Sequence, residues 1–227
     1  MTSGMGEHYP EAETAIDPRR VVRSGVVAAT RHFRLVAGPA RAKFLELTWT
    51  PVEPSVAALW VDLAPKTLDL PDSLIGAYFD EIGATTDLRK QWTDTPSPKR
   101  WRESYAKHAK TYVRVGDAQA PRAFASNVGM ALEIEPDRDP TLLHAGDSLR
   151  VRVLYRSRPL ANFTVAAFRQ GGSTPVLYRT DALGSAWIPL EHEGAMLLAA
   201  VHLRRVHERR LEWRSDFSSM TFPILPR

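Results

Sequence analysis

Residues Val176–Leu203 read VLYRTDALGSAWIPLEHEGAMLLAAVHL, and this stretch decides the fold class. Tyr178–Thr180 runs into Asp181-Ala182-Leu183-Gly184, a turn with Asp first and Gly last. Ala186–Leu190 returns, Glu193-Gly194 turns the chain again, and Met196–Leu203 is a long, mostly apolar strand. Three strands joined by two tight turns are typical of small antiparallel β-sandwiches. Asp181 explains itself as a turn residue that bonds its own backbone.

Downstream, Phe217–Phe222 reads as a last strand. Upstream, Ala131–Glu135, Ser148–Tyr155 and Phe163–Arg169 continue the β signal, with His144-Ala145-Gly146-Asp147 as a hairpin-type turn. Leu149, Val151, Val153 and Tyr155 share one face, against Arg150, Arg152 and Leu154. Residues 128–227 are therefore expected to form a C-terminal Ig/transthyretin-like β-sandwich. Gln119–Asn127, without clear period, marks a boundary.

Residues 21–118 are expected to form an N-terminal β domain with inserted helices, and residues 1–20 a disordered segment or remnant first strand. Val21–Thr30, His32–Val36 and Lys43–Thr50 read as strands, with a turn at Gly38-Pro39. Ser55–Leu63 is apolar enough to be central. Pro71–Ile82 changes period: Leu74, Ile75, Tyr78, Phe79 and Ile82 form one helical stripe, closed by Gly83. A second helix is expected over Pro98–Lys110, where Trp101, Tyr105 and Ala109 recur every four residues, with Glu103 and Lys110 on one face. Thr111–Val115 returns to strand. The class is thus mainly β with one or two helices, in two sandwich-type domains.

Composition excludes several functions. With no cysteine among 227 residues, disulfide scaffolds, thiolate metal sites and Cys nucleophiles are ruled out. No stretch is long enough to span a bilayer. The net charge of +4 comes from Arg interleaved with acids, and even Arg204-Arg205 and Arg209-Arg210 are broken by Glu208, so a solvated surface is the reading rather than a nucleic-acid face. There is no G-x-S-x-G elbow, H-E-x-x-H helix or P-loop, and the chain reads as non-enzymatic. Trp49, Trp60, Trp101, Trp187 and Trp213 fall within element patterns and read as packing rather than a carbohydrate platform.

Two resemblances follow. The C-terminal half, PLANFTVAAF, YRTDALGSAWIPL and EGAMLLAAVHL, is similar to transthyretin-like or carboxypeptidase-regulatory-like modules. More specifically, Arg102-Glu103-Ser104-Tyr105, Ala109-Lys110 and Val113-Arg114-Val115-Gly116 resemble the R-E-x-Y…A-K…V-x-V-G segment of a bacterial family of exported proteins. That family is formally a domain of unknown function, and its members are often described as nickel-transport-associated, NikM-like proteins. Leu132-Glu133-Ile134, Asp139-Pro140, Gly146-Asp147, Val151–Leu154, Ala200-Val201-His202 and Trp213 with Ser218–Phe222 continue the match over roughly residues 55–222.

The resemblance implies a periplasmic or extracellular accessory protein linked to Ni(II) or Co(II) uptake, with a metal permease or envelope protein as partner. The alternative is a β-sandwich module for protein–protein or carbohydrate interaction. The chain departs from the family at its start. Gly6-Glu7-His8-Tyr9 looks like the end of the family's first strand, so no signal peptide and no N-terminal His of the family pattern precede it here; a misplaced start or truncation is the expected explanation. The one candidate metal residue is His202, a neutral-imidazole ligand type on a core-type strand. The competing reading makes it a half-buried strand histidine bonded to a neighbouring carbonyl or carboxylate. His32, His192 and His207 could join it only if the fold brought them close.

Overall fold

The computed structural model describes residues 2–5 (backbone), 9, 11, 13–117, 124, 127–172, 174–208 and 210–227. His8 and most of the predicted boundary at 119–127 lie outside the described residues. The chain is mainly β with two helices. Its strands are β1 Thr2–Met5, β2 Thr14–Ala15, β3 Val21–Ala28, β4 Arg31–Phe33, β5 Val36–Ala40, β6 Leu45–Thr48, β7 Ser55–Leu70 and β8 Trp101–Val115. After these come β9 Leu132–Pro136, β10 Ser148–Tyr155, β11 Arg158–Pro159, β12 Thr164–Arg169, β13 Val176–Arg179, β14 Ser185–Pro189, β15 Gly194–Glu208 and β16 Leu211–Ile224. The helices α1 Asp72–Glu81 and α2 Thr86–Thr93 separate β7 from β8.

One eight-stranded sheet, ordered β13-β12-β15-β16-β8-β7-β3-β4, takes strands from both halves of the sequence. The join is the parallel pairing of β16 with β8, from Trp213 opposite Glu103 to Thr221 opposite Thr111, in a sheet otherwise antiparallel. A smaller sheet places β10 between β9 on one side and β14 and β11 on the other. Its apolar face closes on the large sheet. Leu132, Ile134, Leu149, Val151, Val153 and Ile188, all fully buried, meet Val56, Ala58, Tyr112, Leu198, Met220 and Phe222. On the other face of the large sheet, β2-β1-β6-β5 lays Leu45 and Leu47 of β6 against Leu59, Val61 and Leu63 of β7, while α1 and α2 cover Trp101, Leu203 and Trp213.

The first helix forms where its stripe is read, with Ile75 and Phe79 buried but Leu74 of the stripe exposed, and ends at Gly83 with φ +59. The helix expected over Pro98–Lys110 is instead the strand β8, and the second helix lies earlier, at Thr86–Thr93, capped by Thr85. A spacing of four residues is in phase with a helix and also with a strand, whose side chains alternate every two. Trp101, Tyr105 and Ala109 therefore share a face either way. Glu103 and Lys110, an odd number of residues apart, point to opposite sides of the sheet rather than along one helical face. Gly38-Pro39, expected as a turn, lies inside β5 at a bulge between Ala37 and Ala40. The Asp181 turn is as read: its Oδ1 accepts from the backbone N–H of Leu183 at 2.8 Å and Ser185 at 2.9 Å.

Candidate functional site

The side of the large sheet that faces the sandwich core is apolar at one end and charged at the other. The charged end is a row running across neighbouring strands. Pairing sets Arg23 of β3 opposite Asp62 of β7, and Asp62 opposite His108 of β8. Asp216 of β16 approaches from the other side, and Arg204 of β15 stands beyond it. His108 Nδ1 lies 2.7 Å from Asp62 Oδ1 and its Nε2 3.3 Å from Asp216 Oδ1. Each carboxylate turns its second oxygen to an arginine: Asp62 Oδ2 accepts from Arg23 Nη2 at 2.5 Å, and Asp216 Oδ2 from Arg204 Nη1 at 2.8 Å. The order is Arg–Asp–His–Asp–Arg.

Burial decides the protonation. His108 is 7% exposed, and desolvation alone would favour the neutral ring. The hydrogen bonds and charges of Asp216 and Asp62 outweigh it and push the imidazole pKa up to about 9. Desolvation would raise Asp216, but His108 and Arg204 hold its carboxyl below the ordinary value. At neutral pH the row thus holds three cations around two carboxylates, with both ring N–H groups donating.

Two further buried acids are satisfied in different ways. Glu133 of β9 accepts from Lys110 Nζ at 2.7 Å and from the backbone N–H groups of Val128, Gly129 and Met130. Burial pushes the Lys110 ammonium down against the charge and hydrogen bond of Glu133. Glu103, fully buried on the opposite face, accepts from the Tyr78 hydroxyl at 3.0 Å, from Trp101 Nε1 at 2.9 Å and from the Ser215 hydroxyl. Neither Glu103 nor Lys110 is a surface residue, as an amphipathic helix would have made them.

His202 lies opposite Asp216 in the β15–β16 register. Its ring packs on Tyr155, with centroids 4.2 Å apart, and on Phe163 at 5.9 Å. Burial, reinforced by Arg204 and opposed by Asp216, lowers its pKa, so the imidazole is neutral. Its Nδ1 is buried without a hydrogen-bond partner. His32, His192 and His207 are exposed, and among the described residues no group of three His, Asp or Glu is placed to hold a metal ion. His202 contributes a single unpartnered ring nitrogen, Nδ1, among the described residues.

The aromatic residues divide. Trp101 and Trp213 are buried and stacked, with centroids 4.5 Å apart. Trp187, expected to pack, is 60% exposed, and its strand β14 contacts β13, where Val176 and Leu177 are also exposed. Arg204 and Arg205, expected as part of a solvated face, are both engaged: Arg204 in the row, and Arg205 donating to the Gln91 carbonyl at 2.7 Å at the end of α2. No helix among the described residues is long and apolar enough to cross a membrane.

A family model described as "Domain of unknown function (DUF4198)" matches residues 67–204, more than half of the chain. The chain belongs to this family. The DUF4198 match begins within β7 and ends within β15, so it includes both helices, His108, Glu133 and His202. Arg23, Asp62 and Asp216 lie outside the matched span, although they complete the row around His108. Searches of curated proteins and of solved structures returned no match.

The row escaped sequence reading because register, not spacing, assembles it. The one signal was in-phase polarity. Asp62, His108 and Asp216 each interrupt a buried face, and a charge at a core position implies a partner.

Proposed function

We propose that this DUF4198 protein is a non-enzymatic binding or accessory protein of the cell envelope, working beside a partner in transition-metal uptake. The observation that carries the non-enzymatic part is the mutual pairing of the buried charges. Asp62, Asp216 and Glu133 are each tied to cations of neighbouring strands, so these groups hold the sheets together instead of standing ready for a substrate. The nickel or cobalt part rests on the family resemblance, supported by His202, a neutral imidazole with one unpartnered nitrogen. One nitrogen needs companion ligands. A metal permease or envelope protein is the class of partner to supply them.

Calorimetry with Ni(II) and Co(II) tests the metal reading. The full chain is expected to bind saturably, and His202→Ala to weaken that binding. No saturable heat in the full chain, or affinity unchanged in His202→Ala, would contradict it.

The exposed rim favours a second reading, an interaction module for protein or carbohydrate. Trp187 on β14 and Leu177 on β13 place an aromatic and an aliphatic side chain in solvent where the edges of two sheets meet. On this reading Trp187→Ala abolishes capture of the partner or glycan while leaving metal binding alone.

A further inference from the structure

The outer face of the large sheet carries two cations that form no ion pair with any described residue. Arg20 ends a short 3-10 turn, Pro18–Arg20, just before β3, and is 7% exposed. Its Nη2 donates to the Ala64 carbonyl at 2.9 Å, but its Nε and Nη1 are buried without an acceptor. Lys107 projects from β8 on the same face as Tyr105. Its Nζ stands 5.9 Å from the Tyr105 ring centroid and 5.6 Å from that of Phe217. The Arg20 guanidinium carbon is also 5.9 Å from the Tyr105 centroid. The two rings meet edge to face, with centroids 6.1 Å apart.

Lys107 makes no hydrogen bond or ion pair with any described residue. Burial and the charge of Arg20 both depress its pKa, and only Glu81 of α1 acts the other way. Folding thus holds two like charges near one ring and leaves two buried N–H groups of Arg20 unmet. Leaving a buried donor unmet is costly, more so when it is charged. What would relieve the arrangement is an anion. The walls it would meet are aromatic, and on the neighbouring strand Val201 pairs with Phe217.

We propose that Arg20 and Lys107 form a binding site for a small organic carboxylate, whose charge neutralises the two cations and whose apolar body lies against Tyr105 and Phe217. Lys107, partly exposed, is the point of entry, and Arg20 lies deeper. Inorganic phosphate would satisfy the charge but could not use the rings. The site is remote from His202 in role and does not depend on metal binding.

Calorimetric titration of the full chain at low salt, with benzoate and separately with inorganic phosphate, tests the proposal. Benzoate is expected to bind saturably and about tenfold more tightly than phosphate, a difference of about 1.4 kcal/mol. Lys107→Met, whose folding is checked by circular dichroism, is expected to weaken benzoate about tenfold, and Lys107→Arg to retain it, since a charge-assisted bond is what each removes or keeps. A second readout needs no variant: benzoate should shift the ring resonances of Tyr105 and Phe217. Absence of saturable benzoate heat, equal affinity for phosphate, unchanged affinity in Lys107→Met, or unmoved ring resonances would each overturn the assignment.

Discussion

His108 has the pKa of a structural cation rather than of a titrating switch at neutral pH. Its pKa of about 9 stands above the ordinary 6.5 because the hydrogen bonds and charges of Asp216 and Asp62 outweigh the desolvation of the buried ring. The folded state therefore holds this proton more tightly than the unfolded chain does. The resulting stability is fully present below about pH 6.5 and is lost as pH rises through about 9. A shift of that size corresponds to about 3 kcal/mol. Denaturant melts between pH 6 and pH 10 should show the decline, and His108→Leu should flatten it. The same substitution removes one hydrogen-bond partner from each of two carboxylates that are 4% and 8% exposed but keep Arg23 and Arg204, at a cost of about 2–3 kcal/mol at pH 7. His202 works in the other direction. Its folded pKa lies below 6.5, so it withdraws stability as pH falls below that value.

Lys110 gives the companion prediction. It is 1% exposed and bonded to Glu133, so Lys110→Ala leaves a buried carboxylate held only by backbone donors. Urea unfolding should register a loss of about 3–5 kcal/mol, and Lys110→Met with Glu133→Gln should recover part of it.

At the scale of elements, β8 is the strand on which the molecule turns. It presents Trp101 and Glu103 to the helices, and His108, Lys110 and Tyr112 to the sandwich. The four-residue recurrence of Trp101, Tyr105 and Ala109 is what made it resemble a helix, and its charged residues Glu103, His108 and Lys110 are buried. A reading by period assigns such residues to solvent, whereas here each finds its partner on a different strand. Elements whose apolar and polar residues segregate normally, such as α1 and the Asp181 turn, were legible from the sequence. Trp101→Ala removes a ring that touches Tyr78, Phe79, Trp92 and Trp213 together. It should cost about 3–5 kcal/mol in chemical denaturation and collapse the near-ultraviolet dichroism of the stacked pair. Gly184 is constrained as tightly. Its φ is +73, and a Cβ there would come within 2.9 Å of Pro159 and 3.0 Å of the Leu160 backbone. Gly184→Ala should lower the melting temperature measured by calorimetry, with a cost above 1 kcal/mol.

For the whole molecule, the parallel seam between β8 and β16 matters most. It joins residues about 110 positions apart and makes one sheet of strands that the sequence divides between two candidate units. Nothing local encodes such a pairing. The strands themselves were visible, as was the sandwich class, while the order in which they meet was not. The charged row follows the seam, since His108 and Asp216 belong to its two sides. Amide exchange should be slowest along β8 and β16, with the edge strands β4 and β13 opening first.

The central claim is that a doubly protonated His108 holds the middle of the large sheet between two carboxylates. Nitrogen-15 NMR of the His108 ring across pH 5 to 11 tests it most directly. Both ring nitrogens should carry protons at pH 7 and titrate together near 9, falling toward 6.5 in Asp62→Asn. A neutral ring at pH 7, titrating at or below 6.5, would contradict the account.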